Sequence, residues 1–282
     1  GGQRGEYMHG NDVSDAAARR ITSEDLKHFK NWFDAYVENF VSDDPEVKMN
    51  IDLKYQHTLR VCNAAVEIAT DLGLAGPDLC LAETAALFHD VGRFEQFWRY
   101  RTFSDKRSVN HASFGVGILR GNDVLLRLSE SERILILKSI AFHNQAVLSE
   151  GLDDRCLLHA RLLRDADKLD IWRVATDYYR QRASGTINAG LELNLPDTPG
   201  ISPEVHKSLI NGQTVLFENL RNLNDFKLLQ VGWAYDINFV PTLQRLKDRG
   251  YLDDLQSFLP DCAEVREVFA AVMHNIAIRL NS

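Results

Sequence analysis

The chain has 282 residues, of which 45% are hydrophobic and 26% charged, and its formal net charge is −8. This acidity argues against general nucleic-acid binding, which depends on clustered Lys and Arg, so any anionic ligand needs a local basic patch. No window approaches the ~20 apolar residues of a membrane span. Four widely spaced cysteines without a C-x-x-C pair are typical of reduced core thiols, which predicts a cytoplasmic protein.

The first residues are polar and lack the apolar run of a signal peptide, so residues 1–20 are predicted to form a flexible tail. His9 lies in this tail and is assigned no role. The remainder, residues 21–282, is predicted to form a single helical domain.

Apolar residues recur at steps of three or four along most of the chain, which predicts helices and leaves few candidates for strands. The predicted helices are 22–41, 49–72, 77–90, 108–121, 129–143, 153–182, 203–223, 240–249 and 262–280. Ser108 is the predicted cap of the fourth, and Ser129 with Glu132 has the spacing of a capping box at the fifth. Residues 183–203 are rich in Gly, Pro, Asn and Thr, which predicts a long loop, either a lid or a surface connection. The fold class is therefore predicted to be all-α.

Histidines and aspartates occur on helix faces that are otherwise apolar, or near predicted helix ends: His57, His89 with Asp90, His111, His143, and an aspartate of the run RDADKLD. An ionised carboxylate among apolar residues is costly unless it is paired or bound to metal. Imidazoles and carboxylates that converge from several helices suit a transition metal. Periodicity does not choose between Asp165 and Asp167, because both lie on apolar stripes. A single histidine on such a face is more often a hydrogen-bonded core residue, and four are read in that way: His28, His159, His206 and His274.

The ordered set of these residues resembles the HD-domain metal-dependent phosphohydrolases, an all-helical family named for its His-Asp doublet. His57 in KYQHTLRVCNAA matches the first family histidine, and His89 with Asp90 in ALFHDVGR matches the doublet. Asp167 in DADKLD matches the terminal aspartate, and this match favours it over Asp165. The resemblance covers about 53–173, and it implies an HD helical bundle with additional N-terminal helices and a C-terminal extension over about 203–282.

Two further histidines in the right order, His111 and His143, resemble the two-metal branch of the family. The resemblance implies one ion on His57, His89, Asp90 and Asp167, with Asp90 bridging to a second ion on the other two histidines. Iron or manganese is favoured for these two divalent ions, with zinc, nickel, cobalt or magnesium left open. The HD-GYP phosphodiesterases that cleave cyclic dinucleotides carry a His-His pair where this chain has His143-Asn144, and their GYP tripeptide is absent here. Both departures make cyclic-di-GMP a less favoured substrate.

The segment between Gly92 and Asn110 has a local surplus of three positive charges in an acidic chain. Arg93 occupies the family position that is commonly Lys or Arg and contacts a phosphate, so it is predicted to bind substrate phosphate through its guanidinium. The other basic residues form either a solvated loop or part of a phosphate surface: Arg99, Arg101, Lys106 and Arg107. The aromatic residues of the segment are predicted to pin the loop to the core rather than to stack on a base. Lys168 is a second candidate for substrate binding, or with Asp165 it orients the ligands.

The function that follows is a metal-dependent phosphohydrolase acting on a phosphomonoester or phosphodiester of a nucleotide or another small organophosphate. Its two ions would clamp the phosphate and lower the pKa of a bridging water from ~15.7 toward ~7, giving hydroxide. Asp90 and Arg93 are the predicted catalytic residues. The alternative is a mixed-valent diiron oxygenase acting on a polyol or phosphonate, which has the same ligand order. A non-enzymatic sensing domain is disfavoured because all the ligands are present. The run VGWAYDINF either completes the core or forms a homodimer face.

Overall fold

The computed structural model describes residues 19–146, 148 and 151–282, and it contains no strand within these ranges. Twelve α-helices occur there: α1 (Ser23–Glu38), α2 (Pro45–Asp71), α3 (Pro77–Phe88), α4 (Val91–Tyr100), α5 (His111–Gly121), α6 (Glu130–Phe142), α7 (Asp154–Ala183), α8 (Pro203–Ile210), α9 (Leu223–Gly232), α10 (Val240–Asp248), α11 (Tyr251–Ser257) and α12 (Ala263–Leu280). The all-α prediction is confirmed. None of the helices in the described ranges is long and apolar enough to cross a membrane. Residues 1–18, which include His9 and most of the predicted tail, lie outside the described residues.

The two longest helices, α2 and α7, pack against each other and form the centre of the fold. α3 packs on α2, α6 packs on α7, and α4 and α5 pack together beside α2. The apolar face of α7 includes Trp172, which is fully buried and donates its indole N–H to the carbonyl of Gln230 at 2.8 Å. Buried apolar residues from Ile21 to Ile276 form one connected cluster. We propose on this basis that residues 21–282 fold as one unit.

Helix starts follow local capping chemistry, which explains why the start of α2 and the cap of α5 differ from the predictions. α2 begins at Pro45, four residues before the predicted start, because Asp44 accepts hydrogen bonds from the backbone N–H groups of Glu46 and Val47 and proline suits the first helical position. At α5 the cap is Asn110 and not Ser108, since the Asn110 amide oxygen accepts from two N–H groups of the first turn. The predicted cap of α6 is present, with Ser129 accepting from the N–H of Glu132 at 3.4 Å.

The basic segment was expected to begin as a loop at Gly92, but residues 91–100 form α4. Phe94 and Phe97 lie one turn apart and are fully buried, so the segment is an amphipathic helix. The side chain of Arg99 is 52% exposed on its outer face, whereas that of Arg93 is only 16% exposed. Phe103 is also buried, as expected for an aromatic that pins the segment to the core. Trp98 is 49% exposed, but its ring still packs edge-on against the buried Phe40, with the centroids 6.2 Å apart. Tyr100 is 42% exposed, and the expectation is wrong for it.

The C-terminal region contains shorter helices than the sequence suggested. The predicted helix over 203–223 ends at Ile210, because Gly212 adopts a φ of +74° that stops the helix, and α9 begins after the Asn222 cap. α9 and α11 were not predicted; α11 has only 7 residues, too few for a periodic pattern to stand out. Residues 184–202 contain no helix or strand, which agrees with the predicted loop except at its two end residues. Asn188 ties this loop to α2 by donating to the side chain of Asn50 at 2.8 Å.

Asp165 joins α7 to the C-terminal region. Its buried carboxylate accepts hydrogen bonds from the backbone and side chain of Asn238, the backbone of Phe239 and the hydroxyl of Thr242, at 2.7–3.0 Å. These bonds hold the start of α10 against the surface of α7. Burial raises the pKa of Asp165, and the hydrogen bonds oppose the rise.

Asp165→Ala is therefore expected to lower the free energy of unfolding by about 3 kcal/mol, because several buried donors lose their acceptor. Urea unfolding of the metal-free protein measures the change. Asp177→Ala is the control, since Asp177 lies on the same helix and its side chain is 53% exposed. Equal stability of the Asp165 and Asp177 variants would contradict this role of Asp165.

Candidate metal centre

The His-Asp doublet lies at the break between two helices. His89 follows the last residue of α3, and Asp90 caps the start of α4 without bonding its own helix through its side chain. The preceding residue, Phe88, is fully buried and packs edge-on against Phe29 of α1, which fixes the end of α3. Both side chains of the doublet therefore point into the space between α2, α4 and α7.

Four residues from three parts of the fold form the first ligand group: His57, His89, Asp90 and Asp167. The Nε2 atoms of His57 and His89 lie 3.1 Å and 3.2 Å from the same oxygen, Oδ1 of Asp167. They also lie 3.5 Å and 3.4 Å from Oδ2 of Asp90. Atoms that bind one cation at about 2.1 Å lie roughly 3.0–3.4 Å from each other, so these spacings suit a single ion.

The second ligand group consists of Asp90, His111 and His143. His111 opens α5 and His143 follows the last residue of α6, so both rings come from helix ends. Their Nε2 atoms are 3.0 Å apart and lie 3.4 Å and 3.5 Å from Oδ1 of Asp90. Asp90 thus presents one carboxylate oxygen to each group. This is the arrangement that a bridging ligand requires.

The other ring nitrogen of each histidine is held by an acceptor. Nδ1 of His89 lies 2.6 Å from the carbonyl of Ala86, and Nδ1 of His143 lies 2.6 Å from that of Ile140. Since a carbonyl only accepts, both Nδ1 atoms carry the proton. With Nδ1 turned to a carbonyl, the Nε2 atom of each ring points into the centre, which is the orientation found in metal sites.

Carboxylates hold the remaining two rings. Asp170 contacts Nδ1 of His57 at 2.7 Å, and Asp105 contacts Nδ1 of His111 at 2.8 Å. With Nδ1 protonated in His111 and His143, two Nε2 lone pairs face each other at 3.0 Å, an arrangement that a cation between them and Asp90 would stabilise. The chemistry of the donor set therefore fits two divalent cations.

The pKa values of the groups in the centre are shifted by burial and by the other charged groups that lie close to them. Burial opposes a proton on His57, but hydrogen bonds to Asp167, Asp170 and Asp90 raise its pKa to about 10. Burial and the nearby Arg93 lower the pKa of His111 to about 3. Burial alone would raise the pKa of the Asp90 and Asp167 carboxyls, yet His89 and the other cationic partners hold both well below the usual value. Both carboxylates are therefore ionised and able to bind cations.

The structure brings all six predicted ligands together and distinguishes Asp167 from Asp165. Asp167 faces His57 and His89, whereas Asp165 is engaged by Asn238 and its neighbours on another side of α7. His28, His159, His206 and His274 belong to neither ligand group. His159 is buried and lies 3.4 Å from Asp78, as expected of a hydrogen-bonded core histidine, but His28 and His274 are exposed, so that expectation is wrong for them.

Arg93 lies beside the second group. Its Nη1 donates to the carbonyl of Phe103 at 2.7 Å and to Asp105 at 3.1 Å, and its Nε is 3.9 Å from Oδ1 of Asp90. Lys168 is buried at the edge of the centre, where its ammonium lies 2.9 Å from Asp236. Burial lowers the pKa of Lys168, and Asp236 opposes this shift.

Several residues of the centre were missed by the sequence reasoning. Lys54 and Asp170 lie three residues from His57 and Asp167 on α2 and α7, so helical spacing alone could have indicated them. Asp105 lies outside the longer helices, where periodicity gives no signal. Asn144, which departs from the His-His pattern, donates to Asp105 at 3.2 Å and helps hold it against His111.

The comparisons with known proteins agree with this geometry. Residues 55–172 match the model of the HD domain family. This part of the chain is therefore similar to HD domains. A Bacillus subtilis (strain 168) protein named "Putative phosphohydrolase YueE" is 33% identical over 122 residues, which are 41% of this chain. The chain spans 65% of the length of that relative. No solved structure matches the chain. The matched residues 55–172 include all six residues of the two ligand groups.

Proposed function

We propose that the chain is a metal-dependent phosphohydrolase that acts on a small phosphorylated compound, and that two divalent cations bind to the two ligand groups. The observation that carries this proposal is that the two oxygens of the Asp90 carboxylate face different groups. Oδ2 faces the first group and Oδ1 faces the second. The name of the Bacillus relative supports the same class of activity. The four imidazoles favour iron or manganese over magnesium.

Two cations held by these residues would supply Lewis acidity towards phosphate oxygens and would lower the pKa of a bound water. The residues of the chain fix where this chemistry takes place. Asp170, Asp105 and the two carbonyls contact the Nδ1 atoms and so turn the Nε2 atoms of the imidazoles towards the centre. The near-complete burial of the ligands excludes bulk water, which strengthens electrostatic interactions with a charged substrate. Arg93 is held next to Asp90 and is the proposed contact to the phosphoryl oxygens.

Arg164 supports the second ligand group by binding the backbone at the end of α6, next to His143. Its buried guanidinium donates to the carbonyls of Phe142 and His143 at the end of α6, and it pairs with Asp236 at 2.7 Å. The position of the His143 ring is thereby tied to the segment between α9 and α10. We propose that this contact is how the C-terminal extension contributes to the centre.

Phosphate release by protein purified without chelator tests the proposal. After loading with Fe²⁺ or Mn²⁺ under anaerobic conditions, the protein is expected to release phosphate from members of a panel of nucleotides and other small organophosphates, and EDTA is expected to abolish the release. Oxygen uptake coupled to turnover of a polyol or phosphonate, without ester hydrolysis, would instead indicate an oxygenase. Tight binding of a panel member without turnover under any metal would indicate a sensing domain.

A further inference from the structure

Lys54 is a buried cation beside the bridging carboxylate and lies one helical turn before His57. Its Nζ is 3.4 Å from Oδ2 of Asp90, and its side chain is 13% exposed. An ammonium has three donors. In the described part of the chain, the long contact to Asp90 is the one hydrogen bond that this ammonium makes. Its other donors are left for a ligand.

Arg93 has an unused donor on the other side of the same carboxylate. Its Nη1 has three acceptors, but within the described ranges its buried Nε has no hydrogen-bond partner. This Nε lies 3.9 Å from Oδ1 of Asp90, whereas Lys54 lies beside Oδ2. Unsatisfied buried donors are costly, so their position on both sides of Asp90 indicates a ligand that accepts from both.

Phe103 holds the two cationic groups in place. Nζ of Lys54 and Cζ of Arg93 lie 4.9 Å and 5.6 Å from the centroid of its buried ring. Cation–π contact of this kind orients a cation but does not neutralise it. Lys168 differs, because its ammonium lies 2.9 Å from the carboxylate of Asp236, which it shares with Arg164.

The charge balance around Lys54 indicates what the ligand is. When Asp90 binds cations through both oxygens, its negative charge is already shared between them, and Lys54 loses its one counter-ion. The missing negative charge must then come from the ligand. A phosphomonoester dianion offers two charges and three unesterified oxygens, whereas a phosphodiester offers one charge and two such oxygens.

We infer that Lys54 and Arg93, separated by Phe103, form an anion subsite that selects a phosphomonoester dianion over a phosphodiester. The inference deepens the proposed function and rests on it for turnover. Binding of the anion, however, is measured separately from catalysis.

The binding test uses calorimetry on Mn²⁺-loaded protein with inorganic phosphate and with dimethyl phosphate, a monoanion. Inorganic phosphate is expected to bind at least about tenfold more tightly, a difference of about 1.4 kcal/mol. Lys54→Met is expected to remove most of this preference, and Lys54→Arg is expected to retain it. Lys48→Met is the control, because Lys48 is exposed on the same helix. Equal binding of both anions by the wild type, which needs no variant to fold, would overturn the inference.

The turnover test compares p-nitrophenyl phosphate with bis(p-nitrophenyl) phosphate. The wild type is expected to favour the monoester in kcat/KM, and Lys54→Met is expected to lower the monoester value more than the diester value. Preference for the diester would overturn the subsite and leave the phosphohydrolase proposal intact. Phosphate binding that depends on Lys54, with neither ester hydrolysed, would support the subsite and contradict the proposed function.

Discussion

Asp90→Asn is expected to remove the metal and the hydrolytic activity together, with a loss of activity of more than about 10³-fold. Asp90 is the one residue shared by both ligand groups. An amide keeps the size of the side chain but has a single carbonyl oxygen and no negative charge, so it cannot serve two cations. Metal analysis after dialysis and an assay of phosphate release measure the two losses on the same sample.

Asp52→Asn is the matched control for this variant. Asp52 is exposed on α2, and its substitution removes the same charge without contact to the centre. Wild-type metal content and activity are expected. If Asp90→Asn retained both ions and full activity, the assignment of Asp90 as the bridging ligand would be wrong.

Gly92→Ala is expected to displace His111 without changing any ligand. α4 and α5 touch at Gly92, where an added Cβ would lie 2.4 Å from the carbonyl oxygen of His111 and 2.9 Å from the backbone nitrogen of Gly115. Such contacts are with backbone and cannot be relieved by a rotamer change, so the two helices must move apart. We expect loss of the ion on the second group, retention of the ion on the first, and a fall in activity of more than about 100-fold.

Gly117→Ala provides the comparison for this substitution. Gly117 lies in α5 with open space around its Cα, and alanine there is expected to stabilise the helix by up to about 1 kcal/mol. Its metal content and activity should equal those of the wild type. Two tightly bound ions in Gly92→Ala would show that the close approach of α4 and α5 does not fix His111.

The ligand set could be predicted from sequence because the family places its histidines and aspartates in a recognisable order. Periodicity alone left Asp165 and Asp167 open. The structure distinguishes them, because the Asp165 carboxylate accepts hydrogen bonds from Asn238, Phe239 and Thr242. These donors lie more than seventy residues further along the chain. Partners so distant in sequence leave no local signal.

The supporting residues were harder to predict for two different reasons. Lys54 and Asp170 lie three residues from the predicted ligands His57 and Asp167. In the sequence alone, a charged residue at such a position looks the same as one on a solvent-exposed helix face. The predicted helix over 77–90 ends just before Gly92, since glycine is common after the end of a helix. In the structure Gly92 lies within α4, and its lack of a side chain permits the approach of α5.

The central claim is that one carboxylate, that of Asp90, joins two cation sites between the helices of this fold. Anomalous diffraction from crystals of Mn²⁺-loaded protein tests it most directly. The account predicts two peaks, one on each side of Asp90 and roughly 3.5–4 Å apart. A single peak at the first ligand group, or none, with the rings of His111 and His143 turned away from Asp90, would contradict it.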